Sequence, residues 1–149
     1  MPAEVVIAIA FILGGVLVGY HRGGPPERLV ATIIVAWVVS DVCYSLTFGP
    51  SSFVTVDPAR VILDVGELIA ITWVALRANR MWPLWAAAAQ LICVSGHLAA
   101  VIEVGGMRRA YWALTQLPAY IQLIALVLGA AAHARRFARI GPYRSWRYS

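Results

Sequence analysis

Seven residues set in otherwise apolar stretches carry groups able to do chemistry: Asp41, Arg60, Asp64, Glu67, Gln90, His97 and Gln116. Carboxylates beside a histidine and an arginine can pass protons, hold a cation or bind a small polar solute. Their spacing puts them on shared helix faces. Arg60, Asp64 and Glu67 follow one another at i+4 and i+3, the spacing of neighbours along one helix side. Gln90, Cys93 and His97 form a second such stripe, and Trp37, Asp41, Tyr44 and Ser45 a third. Counted from the helix ends that the sequence implies, Asp41, Asp64, His97 and Gln116 each lie seven residues in. At a rise of about 1.5 Å per residue, all four fall about 10 Å below one end of the helices. The stripes therefore converge on one polar layer.

Three kinds of chemistry compete for that layer. The simplest is an interhelical network, with Arg60 paired to Asp64 and His97 paired to Asp41 or Glu67. The second is a binding or transport pocket for a proton, a cation or a basic solute. The third is a metal centre, for which His97, Asp64 and Glu67 are the weak candidate ligands. Charge counting leans away from a purely structural network. Asp41, Asp64 and Glu67 supply three potential negative charges, whereas Arg60 and a protonated His97 supply two positive ones. Unless one carboxyl holds a proton, the layer is short of cation, and a group held neutral there would be a natural proton carrier.

The elements that position these residues follow from composition. The chain has 149 residues, 61% of them hydrophobic and only 13% charged, against roughly 25% charged in a soluble domain. The mean hydropathy is +0.77. Too little polar surface exists to cover a soluble core, so the apolar excess has to face lipid. The expected fold is all-α, a single integral membrane bundle of five transmembrane helices over about 3–20, 29–48, 58–77, 82–104 and 109–133. Each is near the 20 residues needed to cross a hydrocarbon core of about 30 Å. The breaks are Arg22-Gly23-Gly24-Pro25-Pro26, Gly49-Pro50, the short Ala78-Asn79-Arg80-Met81 link, and Gly105-Gly106, which follows Val104. Asp57-Pro58 reads as an N-cap and first helical residue. Pro118 should kink the fifth helix. The start, Met1-Pro2-Ala3-Glu4, has no basic region of the kind a cleaved signal peptide carries.

Orientation follows from arginine, which supplies all 12 basic residues in place of lysine, as a GC-rich genome would. Nine arginines fall on the side of the first loop, the third loop and the 134–149 tail, and three on the other. By the positive-inside rule the tail is cytoplasmic and the N-terminus outside, with the polar layer in the outer half. Trp73, Trp82 and Trp85 gather near the cytoplasmic boundary as an aromatic belt would. Gly15-x-x-x-Gly19, Ala125-x-x-x-Gly129 and Ala86 to Ala89 offer small-residue seams for packing within the chain, or between two copies.

Other chemistry finds little support. Cys43 and Cys93 lie in apolar runs with neither metal nor disulfide spacing. His21 and His133 close the first and last spans and could face each other across a haem, though basic boundary flanks explain them as well. No cofactor is expected. The net charge of +5 belongs to a tail that interleaves arginine with aromatic residues, suited to anionic headgroups rather than to nucleic acid. Nucleophile elbows, phosphate loops and metalloprotease motifs are absent, so an enzyme is not expected.

The run Ala75-Leu76-Arg77-Ala78-Asn79-Arg80-Met81-Trp82-Pro83-Leu84-Trp85, followed by Gln90 and His97, resembles a type of small alphaproteobacterial multi-span membrane protein, over about the C-terminal half. That resemblance implies a bacterial inner membrane and brings no activity, ligand or catalytic residue. Length and tryptophan content are similar to those of the TspO-type tryptophan-rich sensory proteins. The tryptophan, proline and asparagine pattern of that family is missing, so its porphyrin binding is not carried across. The expected role is an accessory subunit or a small-ligand-binding protein with a polar pocket. A proton- or cation-linked small transporter is the alternative, and a membrane-permeabilising effector a further one. The bilayer is the expected partner, with a membrane-protein partner or a second copy beside it.

Overall fold

A computed structural model describes residues 3–102 and 108–147 of the chain. They form five helices: α1 (Ala3–Arg22), α2 (Pro25–Phe48), α3 (Pro58–Arg77), α4 (Trp82–Ile102) and α5 (Arg108–Ile140). Each helix packs on its neighbour in the chain, and α5 closes the ring onto α1 while also touching α2. The expected break after Val104 at Gly105-Gly106 lies outside the described residues.

Three of these helices, α2, α4 and α5, are long and apolar enough to cross a membrane. The first contributes a shorter apolar stretch, Val6–Arg22. The third differs because Arg60, Asp64 and Glu67 lie within it, the two carboxylates turned inward. Large apolar side chains stand outside all around the ring, from Leu13 and Leu46 to Ile69, Leu98 and Leu128. A soluble monomer does not leave such a surface to water, and the chain reads as a membrane protein. The core is thin by comparison. Val16, Val30, Ile34, Val74, Leu123 and Leu126 fill the centre of one half, and Ile71, Ala86 and Ala125 continue it.

The small-residue seams are used inside the chain. A Cβ on Gly15 or Gly19 would stand 3.1–3.2 Å from Leu123 or Leu126 of α5, so the glycines let α1 lie close against it. Gly129 has the Trp82 indole directly over it, with ring atoms 2.6 Å from where a Cβ would be. Trp82 is accordingly half-buried and turned into the bundle, unlike the exposed Trp73 and Trp85. Of the three expected belt tryptophans, one is a packing residue.

Two boundaries depart from expectation. Pro25-Pro26 does not lie outside α2 but opens it, because proline fits the first turn, where no N–H has to be bonded. Helix α5 runs unbroken through Pro118 and continues to Ile140, so the first half of the 134–149 tail is helical. After Gly141, at a left-handed φ of 72°, the chain folds back. Ala78 and Trp146 then form an antiparallel bridge, with Asn79 N–H donating to the Ser145 carbonyl at 3.0 Å and Arg147 N–H to that of Arg77 at 2.8 Å.

Beneath this seam sits Glu27, which has no exposed surface. Its carboxylate accepts from the Gly24 N–H at 2.9 Å, capping α2 from within its own first turn. It also accepts from Trp82 Nε1 at 2.8 Å and pairs with the Arg80 guanidinium. Arg80 in turn reaches His133 Nδ1 at 3.0 Å and Ser145 Oγ at 3.2 Å. Removing one partner of a buried pair leaves an uncompensated charge, at a cost of about 3–5 kcal/mol. Glu27→Gln should therefore lower the thermal midpoint in detergent sharply, and adding Arg80→Met should recover much of the loss. A midpoint unmoved by Glu27→Gln would show that the pair does not hold the bundle.

Candidate functional site

At the other end of the bundle, away from the tail, α2 to α5 and the 49–57 loop enclose a polar cavity of about 230 Å³. Asp41, Arg60, Asp64, His97 and Gln116 all line it. The four residues placed at equal depth by counting along the sequence thus meet in space. Gln90 lies just below, and Glu67 is buried beside Asp64 without reaching the cavity.

The pairings differ from those expected. Arg60 does not bind Asp64 one turn on. It pairs with Asp41 of α2 and reaches Asp57, at 3.6 Å from Nε. Its Nη2 donates to Ser45 Oγ at 2.9 Å and to the Gly49 carbonyl at 3.3 Å. Long helical side chains lean toward the N-terminus of their helix, which carries Arg60 away from Asp64. Asp57 caps α3 as its position suggested, accepting from the Ala59 N–H at 3.0 Å, and also accepts from the Tyr44 hydroxyl.

Asp64 is left free to face α4. Its Oδ2 lies 2.6 Å from His97 Nε2, so His97 pairs with Asp64 and with neither Asp41 nor Glu67. Oδ1 accepts from Trp37 Nε1 at 2.8 Å. Gln90 donates to the Asp64 carbonyl at 3.0 Å, and Gln122 of α5 donates to Gln90 Oε1 at 2.5 Å. His97 Nδ1 meets the Tyr111 hydroxyl at 2.8 Å. A neutral ring donating from Nε2 to Asp64 accepts the Tyr111 O–H at Nδ1; an imidazolium would donate from both nitrogens. Asp64, His97 and Tyr111 therefore form a continuous hydrogen-bonded row along which a proton can move.

Two polar groups stand apart. Among the described residues, no donor reaches the buried Glu67 carboxyl, and Gln116 has no hydrogen-bond partner although it faces the cavity. Pro50, Ser51 and Phe53 of the loop also line the cavity. Phe53 holds φ at +53°, a conformation costly for a bulky residue. Its ring meets that of Tyr111 edge-on at 6.0 Å.

Among the described residues, Asp64, Cys93 and His97 bring potential metal-ligating atoms within 4.8 Å of one another. Cys93 thus takes the place expected for Glu67, which sits one turn deeper. As the chain stands, Cys93 Sγ donates to the Thr115 carbonyl at 3.5 Å, and the His97–Asp64 hydrogen bond fills the space between the other two. At the tail end, His21 and His133 border one crevice, together with Arg22 and Arg28. His133 Nδ1 is taken up by Tyr143 at 2.7 Å and by Arg80, and Nε2 lies against Gly24.

Sequence reasoning missed Trp37 as a donor to Asp64, and Tyr111 and Gln122 as members of the network. A signal existed for Gln122, which lies seven residues from Thr115 on the same inward face of α5. No protein-family model matches the chain, and neither curated proteins nor solved structures provide a match. The site is therefore read from its own geometry.

The Trp37 contact bridges α2 and α3 through a carboxylate. Interhelical hydrogen bonds within membranes average about 0.6 kcal/mol and reach about 1.7, and a charged acceptor belongs at the upper end. Trp37→Phe should lower unfolding stability in a denaturing-detergent titration by about 1–2 kcal/mol. No change would mean that Asp64 is held adequately by His97 and Gln90.

Proposed function

We propose that this chain is a five-span bacterial inner-membrane protein that binds a small polar solute in its outer half and catalyses no reaction. The N-terminus lies outside and the tail in the cytoplasm. The arginine asymmetry supports the orientation, and the exposed Trp73 and Trp85 suit a membrane boundary at the tail end. One observation carries the binding role: Asp41, Asp64, His97 and Gln116, drawn from four helices, line a single cavity.

Size and charge narrow the solute. A cavity of about 230 Å³ falls below the roughly 300–1,000 Å³ of drug-sized pockets. Asp41 and Asp64 place two carboxylates on its wall against one guanidinium, Arg60. Asp57 shares the same guanidinium, so with His97 neutral the negative groups outnumber the positive one, which suits a small cation. Gln116 supplies an unused amide for orientation. Methylammonium titrated into the nanodisc-embedded protein should change tryptophan fluorescence saturably, through Trp37. Asp64→Asn should weaken that binding by about tenfold or more, the worth of one charge-assisted contact. No saturable change in the parent protein would sink the solute reading.

A second reading, a proton-linked carrier, is favoured by the Asp64–His97–Tyr111 row. In vesicles loaded with a pH-sensitive dye, an imposed potential should drive proton entry through the parent protein and not through His97→Gln. A parent no faster than protein-free vesicles removes this reading and leaves the binding role standing.

A further inference from the structure

A second cavity lies at the tail end, remote from the polar layer. It is a cleft of about 680 Å³ along α5, walled by Trp82 and Trp85 of α4 on one side and Ile121, Ile124 and Leu128 on the other. Its tail-side rim is polar: Arg80, His133, Arg136 and Tyr143. The apolar wall residues Trp85, Ile124 and Leu128 are all exposed, so the cleft opens sideways rather than along the bundle axis.

We propose that this cleft seats one anionic phospholipid, with its acyl chains along α5 and its phosphate at Arg136 and Arg80. This rests on the membrane reading above but not on the outer pocket. Three observations support it. The first is length. Ile121 and Arg136 are fifteen residues apart on one helix, about 22 Å at 1.5 Å per residue. Half of a bilayer with its headgroups is about 20–22 Å, one lipid long. The polar rim begins at His133, about 18 Å along, close to the depth at which the hydrocarbon ends.

The second is charge. The carboxylate of Glu27 neutralises Arg80, but Arg136 forms no ion pair among the described residues and lies over the Tyr143 ring at 4.3 Å. The rim thus carries one positive charge in excess, the complement of a single phosphodiester. The third is an unused donor. The Arg80 side chain is only 7% exposed, and its Nε–H has no acceptor, although Nη1 and Nη2 are taken up. Because Nε itself is buried, a phosphate at the rim would supply the missing acceptor by drawing the guanidinium outward. Free phosphate would answer the charge but would leave the apolar walls unfilled.

Quenching by brominated lipids tests this on the full chain in mixed micelles, because Trp82 and Trp85 wall the cleft. Brominated phosphatidylglycerol should quench at least about fivefold more effectively than brominated phosphatidylcholine at equal mole fraction, as expected for one surface arginine. Arg136→Gln, at an exposed position, should bring the two lipids level. Ala132→Phe, which fills the cleft without adding an indole, should reduce quenching by phosphatidylglycerol while Arg136 is intact. Equal quenching by both lipids in the parent protein would overturn the seat and leave the membrane reading in place. No quenching by either would overturn the membrane reading itself. Reversal of the preference by millimolar inorganic phosphate would assign the rim to free phosphate instead.

Discussion

A single carboxylate with no contact to solvent organises the tail end of the bundle. Burying a charge costs several kcal/mol unless its hydrogen-bonding capacity is met. For Glu27 it is met from three directions, by the Gly24 N–H, the Trp82 indole and the Arg80 guanidinium. The first donor belongs to the start of α2. The other two belong to the link into α4. The requirement to satisfy Glu27 thus fixes the height of α4 against α2, and Trp82 carries that constraint onward to Gly129 of α5. Glycine at positions 24 and 129 follows from the same demand, because a methyl group at either would collide with the cluster.

The opposite end is built differently. Arg60 and Asp64 are well bonded, yet among the described residues the Glu67 carboxyl and the half-buried Gln116 amide have no hydrogen-bond partner, and Arg60 Nε has only its 3.6 Å ion pair with Asp57. Buried polar groups are almost always satisfied in a purely structural network. An end left incomplete, enclosing a cavity lined in part by a strained Phe53, is where a second molecule or a proton would be taken up. The two clusters use the same residue types. The difference is that the outer cluster borders a cavity, whereas the Glu27 carboxylate sits with no exposed surface among its three donors.

Much of this was legible in the linear sequence. Runs of apolar residues near bilayer length, broken at glycine and proline, located the helices to within about four residues, except that α5 runs seven residues past its expected end at 133. Counting seven residues from their ends brought Asp41, Asp64, His97 and Gln116 to one level. Depth along a helix depends only on rise per residue, so it survives translation into three dimensions. Pairing does not, because it depends on where a side chain leans. Arg60 and Asp64 share a face, yet the guanidinium swings back toward Asp41. Glu27 escaped notice for another reason. It stands beside Pro25-Pro26 and looks like the polar residue of a turn, and its partners come from positions 80 and 82 in the sequence. Nothing local announces a contact between residues more than fifty positions apart.

The fold-back after Gly141 has a consequence for the order in which the molecule is completed. The strip at residues 145–147 bonds to residues 77–79, made some 65–70 positions earlier. The turn between α3 and α4 must therefore wait, its carbonyls and N–H groups served by water, until all of α5 has emerged and been placed. Closing so long a loop carries an entropic cost that rises only slowly with length, by about 0.6 kcal/mol per doubling. A few backbone bonds and the Arg80–Ser145 contact can offset that cost once the helices are already aligned. The strip then acts as a latch engaged last. A partly assembled chain differs from a finished one chiefly at this edge, where unpaired backbone would mark it for recognition.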